Sequence, residues 1–249
     1  CIIPVHLAGI SCDMNYLLTV KKKLKLFMVE DCTHALATFY NNKHVGTFGE
    51  FGCFSFYPTK NITTLEGGMI VSKSTSLASI TSRTRNHGIN RSLKDRYSKG
   101  YPWDYDITEP GFNYRMDEIR ATLGCEQLKR INKINEQRRK AFRYYVENLT
   151  DQEELILPSL KNLKNNACHL FILRVNSLSK TRRYDLFKQL SKRGISTSLH
   201  YKPLHKFSLF KKHCKSYGKL DNSNLLYNQL LSLPFYTGIT KKEQNLVIK

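Results

Sequence analysis

The sequence predicts an α/β fold, with a larger domain built on a mostly parallel sheet followed by a smaller C-terminal α/β domain. Three observations predict it. Short apolar runs alternate with helical stretches through the first half of the chain, the pattern of strands joined by crossover helices. A long run of helical periodicity begins near Asp117. Pro158, set among polar residues, then marks a change of domain before a second strand–helix–strand series. We assign residues 1–128 to the larger domain, and 129–249 to a linking helix and the smaller domain.

The elements follow in order. Ile2-Ile3-Pro4-Val5-His6-Leu7 reads as a buried strand. Leu24 to Glu30 is a strand ending at Asp31, and Ala35 to Tyr40 continues past it. Phe51 to Phe56 is a compact strand followed by the turn Tyr57-Pro58-Thr59, and Gly68 to Ser72 is another strand. Leu77 to Arg85 reads as a helix. Met116, Ile119, Leu123, Leu128, Ile131 and Ile134 recur at helical spacing, so their stripe is expected to face a core. That helix runs to about Leu149 with a kink on the way. In the smaller domain we expect a strand at Leu170 to Val175, a helix at Thr181 to Arg193 and a short strand near Ile195 to Tyr201. The first residue is Cys1, and Lys241 to Lys249 reads as a helix cut partway. We therefore expect the 249 residues to be part of a longer protein whose N-terminal portion precedes Cys1.

Composition narrows the function. No apolar run approaches 20 residues, so neither a membrane span nor a membrane partner is expected. The seven cysteines are odd in number and form no C-x-x-C pair, which suits reduced thiols in a cytoplasmic protein. The eight histidines form no ligand pattern with each other or with cysteine, so no metal is expected. A net charge of +20 raises nucleic-acid binding as one reading. The lysines look scattered and no nucleic-acid-binding motif accompanies them. An Asn- and Lys-rich composition serving an anionic small-molecule substrate is the plainer account, and no nucleic-acid partner is expected.

The chemistry centres on Lys60, in Ser55-Phe56-Tyr57-Pro58-Thr59-Lys60-Asn61. A lysine on a rigid turn after a buried strand can enter a cleft, lose part of its hydration and drop its pKa. A neutral amine is what attack on a carbonyl requires. Taken alone, Lys60 is more simply a solvated loop residue. Asp31 ends an apolar strand, and in an open α/β sheet such ends form the ligand crevice. A carboxylate there can hold a proton on a pyridine nitrogen; its plainer role is a helix N-cap. Ser55 is placed to reach a phosphate, or is simply a hydrogen-bonded strand serine. Thr63-Thr64 and Glu66-Gly67-Gly68 form a hydroxyl-rich loop and a tight turn.

These residues carry a resemblance. Val29-Glu30-Asp31-Cys32-Thr33-His34-Ala35, Val45-Gly46-Thr47-Phe48-Gly49 and Gly52 through Thr64 resemble the DegT/DnrJ/EryC1/StrS aminotransferases. So do Arg85-Asn86-His87-Gly88, Gly111-Phe112-Asn113-Tyr114-Arg115-Met116, His200-Tyr201-Lys202-Pro203-Leu204-His205 and Ser232-Leu233-Pro234-Phe235. The motifs keep the family's order over nearly the whole chain. The resemblance implies a fold-type-I, aspartate-aminotransferase-like enzyme that uses pyridoxal 5′-phosphate (PLP) and works as a homodimer with shared active sites. Residues 1–128 would be the C-terminal part of its PLP-binding domain. It implies that Lys60 carries the coenzyme, that Asp31 pairs with the pyridine nitrogen, that His34 lies near the ring and that Ser55 takes the phosphate. Asn113 would reach the phosphate in the neighbouring subunit, and His200 would line the partner's substrate site. The substrates implied are a nucleotide-linked keto-sugar and an amino donor, usually glutamate, in amino-sugar or polysaccharide biosynthesis. Leu65 stands where the family has glycine, so a changed loop backbone is expected there. That departure keeps a catalytically inactive or regulatory member of the same fold as an alternative, beside the basic nucleic-acid-binding protein.

Overall fold

The computed structural model describes residues 1–98, 101–176 and 182–249, and divides the chain into two units, Cys1–Asn132 and Lys133–Lys249. The first unit holds α1 (Met14–Leu24), β1 (Val29–Asp31), β2 (Phe39–Tyr40), β3 (Lys43–His44), β4 (Phe51–Ser55), β5 (Gly68–Val71), α2 (Thr75–Arg85), α3 (Leu93–Ser98) and α4 (Glu118–Leu128). α5 (Ile131–Leu149) leads into the second unit, which continues with β6 (Leu155–Ile156), β7 (Phe171–Val175), α6 (Arg183–Lys192), α7 (Ser208–His213), α8 (Asp221–Gln229), β8 (Leu230–Leu233) and α9 (Lys241–Ile248).

β1 lies parallel to β4, with Asp31 opposite Cys53. On its other side β1 meets the opening residues through parallel bridges at Ile2–Met28 and Val5–Asp31. The run from Ile2 is thus an interrupted strand, with Ile3 and Val5 exposed. β5 closes the other edge antiparallel to β4. Two parallel neighbours and one antiparallel edge make this sheet mostly parallel. Glycine lets the loop before β4 lie against that strand: a Cβ on Gly52 would sit 2.3 Å from the carbonyl oxygen of Gly46.

Several sequence expectations need correction. Leu24 is not in a strand. It ends α1, whose N-cap Asp13 accepts from the Tyr16 N–H and whose last turn holds Lys21, Lys22 and Lys23, a charge placement that suits a helix C-terminus. The stretch from Ala35 turns, and only Phe39–Tyr40 pairs, in a hairpin with β3. Its two-residue connection, Asn41 and Asn42, takes positive φ at both positions, as a type I′ turn requires. The long helix breaks into α4 and α5 between Leu128 and Ile131. Its apolar stripe does not face a core in α4. Ile119 is 83% exposed, and Leu123 and Leu128 are exposed as well. The inward face carries Ala121, Gly124 and Gln127 instead. A small residue is needed there, because a Cβ on Gly124 would lie 2.8 Å from the Thr64 side chain.

In the second unit β6, β7 and β8 form an antiparallel sheet. Alternate residues of β7, Phe171, Leu173 and Val175, point into the core and meet Phe142, Tyr145 and Leu149 of α5. That spacing of four and three is the helical repeat. Around Ile195–Tyr201 only Ser198 pairs, as an isolated bridge to Ser232. Thr181, the expected start of α6, lies outside the described residues.

Candidate active site

Lys60 sits on a loop pinned at its base by one residue. The Phe56 N–H donates to the Gly67 carbonyl, and the Phe56 carbonyl accepts from Thr64 N–H, both at 2.9 Å, and from Thr63 Oγ1 at 3.0 Å. Within the loop, Lys60 N–H donates to the Tyr57 carbonyl at 3.0 Å, closing the turn that Pro58 opens. From α4 the Gln127 amide grips both backbone groups of Thr63, accepting at 3.1 Å and donating at 2.5 Å. The loop is therefore held from two directions by bonds that do not involve Lys60. The lysine side chain is half-buried. Burial lowers its pKa below the usual lysine value, and the Asp31 charge pulls in the opposite direction. The amine thus lies near enough to Asp31 to feel its charge.

Asp31 stands at the carboxyl end of β1. Its backbone is tied on both sides, through Asp31 N–H to the Pro4 carbonyl and His6 N–H to the Asp31 carbonyl. Its Oδ1 accepts from Thr33 N–H at 3.0 Å. No helix follows, so this is a local turn rather than an N-cap. Ser55 ends β4, and its Oγ accepts from Tyr57 N–H at 3.3 Å. His34 is buried, and its Nδ1 accepts from Ala8 N–H at 3.3 Å; that bond orients the ring. Asp31, Ser55 and Lys60 therefore cluster at the carboxyl ends of two parallel strands.

Asn113 and His200 belong to other elements of the chain. Asn113 is exposed, bridges Asn86 and accepts from Arg115 Nε at 2.9 Å. His200 belongs to the second unit, where its Nδ1 is 2.8 Å from Ser232 Oγ. Leu65 is exposed and takes φ +66. It keeps the left-handed conformation that suits glycine, at a cost of about 1 kcal/mol.

Two parts of the site are invisible in sequence spacing. Gln127 is one, 64 positions from its partner. The other is a buried cluster of His6, Glu30 and Cys32, whose ligand atoms lie within 4.8 Å of one another. The expectation of no histidine–cysteine cluster thus holds along the chain but not in space. The cluster does not suit a metal ion. Glu30 Oε1 accepts from Phe48 N–H at 2.6 Å and Gly49 N–H at 2.7 Å, while Oε2 accepts from Gly46 N–H at 2.7 Å and faces His6 Nε2 at 3.2 Å. About four lone-pair directions exist on a carboxylate, and all are taken. The second imidazole nitrogen accepts from Cys12 N–H at 3.1 Å. This is a satisfied polar core that ties the loop at 46–49 and the opening strand to β1, directly behind Asp31.

The family model of the DegT/DnrJ/EryC1/StrS aminotransferases matches residues 1–249. The chain belongs to that family. Spore coat polysaccharide biosynthesis protein SpsC of Bacillus subtilis is 32% identical over 252 residues, covering 100% of this chain and 64% of SpsC. The structure of Helicobacter pylori PseC, an aminotransferase involved in the biosynthesis of pseudoaminic acid, superposes with a TM-score of 0.90 at 26% identity, covering 99% of this chain and 64% of PseC. Spr1654 of Streptococcus pneumoniae, assigned as a sugar aminotransferase and solved in its PLP form, gives a TM-score of 0.83 at 28% identity over 99% of this chain and 66% of its own. The fold is the type I aminotransferase fold, as the motifs implied. The chain spans 62–64% of the length of the curated relatives it matches.

Proposed function

We propose that the complete gene product is a PLP-dependent aminotransferase that moves an amino group, with glutamate as donor, onto a nucleotide-linked keto-sugar. One observation carries the reading: a half-buried lysine amine, its pKa lowered by burial, feels the charge of an aspartate at the end of β1, beside the parallel strand that leads into its loop. An amine and an acid in one desolvated crevice fit a coenzyme that needs a lysine at its aldehyde and an acid at its ring nitrogen.

In this reading Lys60 carries the coenzyme and Asp31 holds a proton on the pyridine nitrogen. Ser55 Oγ donates to the phosphate, and the buried His34 packs against the ring. When bound, PLP supplies an electron sink for the charge that develops at the substrate carbon. The Lys60 amine would be the group that takes and returns the proton at that carbon. Its lowered pKa keeps more of the amine neutral at physiological pH, as proton abstraction requires. Asn113 and His200 would serve a second subunit's site. The exposed apolar stripe of Ile119, Leu123 and Leu128 on α4 supports a homodimer. Seven free cysteines support a cytoplasmic location.

The test is spectroscopic. The gene product with PLP should show a visible or near-ultraviolet band that glutamate bleaches and a keto-sugar nucleotide restores. A protein that forms the band but never responds to any amino donor would favour the inactive-member reading.

A further inference from the structure

Half of the net charge of +20 lies in residues 182–219, which hold eleven Lys and Arg against one acid, Asp185. Along the chain these cations look scattered, and the sequence alone offers them only an anionic small-molecule substrate. The fold brings two of them together. Arg183 opens α6 and Lys206 precedes α7, yet both cations lie over the ring of Tyr227 in α8, at 5.4 and 5.0 Å. Among the described residues none of the eleven forms an ion pair with an Asp or Glu. The Nε of Arg183 is buried with no acceptor. Gathered like charges repel one another, and an anionic partner would relieve that repulsion.

The same segment exposes large apolar side chains. Leu204, Phe207, Leu209 and Tyr217 are all exposed, Leu209 at 64%. They alternate with Lys206, Lys211, Lys212 and Lys215. This combination narrows the partner. Nucleic acid takes its affinity from phosphate contacts and has little use for exposed leucines. A second copy meeting this patch about a two-fold axis would bring cation against cation. A bilayer with anionic headgroups satisfies both features, since lysines meet the headgroups while apolar side chains enter the boundary with the acyl chains.

We propose that the basic and exposed apolar side chains from Lys206 to Lys219 form a docking surface for an anionic lipid bilayer. The attachment is peripheral, since no described helix is long and apolar enough to cross a membrane. It goes beyond the aminotransferase reading and stands without it.

The experiment is cosedimentation of the full chain with vesicles of phosphatidylcholine alone or mixed equally with phosphatidylglycerol. Binding should require phosphatidylglycerol and fall as salt rises. Reversing Lys211, Lys212 and Lys215 together to Glu should weaken it about a hundredfold or more, at about 1 kcal/mol per lysine. Phe207→Ser with Leu209→Ser leaves the charge unchanged and should weaken it about threefold or more. These side chains are exposed, and thermal unfolding checks that each variant folds. Equal sedimentation with both vesicle types overturns the proposal, as does no sedimentation with either. Tighter binding to duplex DNA, unaffected by the Phe207 and Leu209 changes, reassigns the patch to nucleic acid and also overturns it.

Discussion

Two basic side chains sit out of water in this protein, Lys60 in the first unit and Arg138 in the second, and they serve opposite ends. Arg138 is 4% exposed. It donates to the carbonyls of Cys168 and His169 and to Thr237 Oγ1, and its guanidinium lies 5.5 Å from the centre of the Phe235 ring. Burial lowers its pKa to about 10, which still leaves it charged at neutral pH. Its donors tie β7 to the chain beyond β8, and nothing about it is available for chemistry. Lys60 is only half-buried, and the loop beneath it is held by bonds to Phe56 and Gln127 rather than by its own side chain. The lesson is that a buried cation held by three hydrogen bonds builds the fold. One lowered in pKa, on a loop braced by other residues, is left available to react.

The largest effect that could break this contrast is at Lys60. Lys60→Ala should abolish the coenzyme absorbance band while shifting stability by less than about 0.5 kcal/mol, measured by urea unfolding. A large loss of stability would make Lys60 a structural residue like Arg138. Arg138→Met should do the reverse, costing about 3 kcal/mol in urea unfolding because buried carbonyls lose their donors.

Glu30→Gln sharpens the comparison from behind the site. It puts an amide where four donors converge, and should cost about 2 kcal/mol. The pH dependence follows from the wild-type carboxyl. Burial alone would raise its pKa, but bonds from His6 and the backbone N–H groups of Gly49, Gly46 and Phe48 outweigh burial and lower it. Its stabilisation is therefore present above the ordinary glutamate value and lost as pH falls through the lower folded value. Urea midpoints followed through the acid range should drop in wild type and change less in Glu30→Gln. The smallest effect is at Leu65. Leu65→Gly relieves the left-handed strain but loosens the unfolded chain, and should raise stability by about 0.5 kcal/mol in urea unfolding.

The sequence made Asp31, Ser55 and Lys60 legible because each sits in a local motif on a strand end or turn. β4 and β5 were equally plain as apolar runs bounded by glycine and proline. What escaped was non-local. Gln127 meets Thr63, and His6 meets Glu30, only because strands and helices cross. The apolar stripe on α4 was read correctly as a stripe and wrongly as inward, since periodicity reveals a face but not what covers it. α1 is hidden in the sequence because the apolar Leu24–Glu30 run overlaps its last turn, far from the N-cap at Asp13. The short strand at Leu230–Leu233 has too few residues to show alternation.

The most direct test of the central claim is reductive trapping. The PLP-loaded protein is treated with borohydride and the labelled peptide is mapped by mass spectrometry. The account predicts a single pyridoxyl label, on Lys60, that weakens in Asp31→Ala. A label on any other lysine, or one on Lys60 indifferent to Asp31, would contradict it.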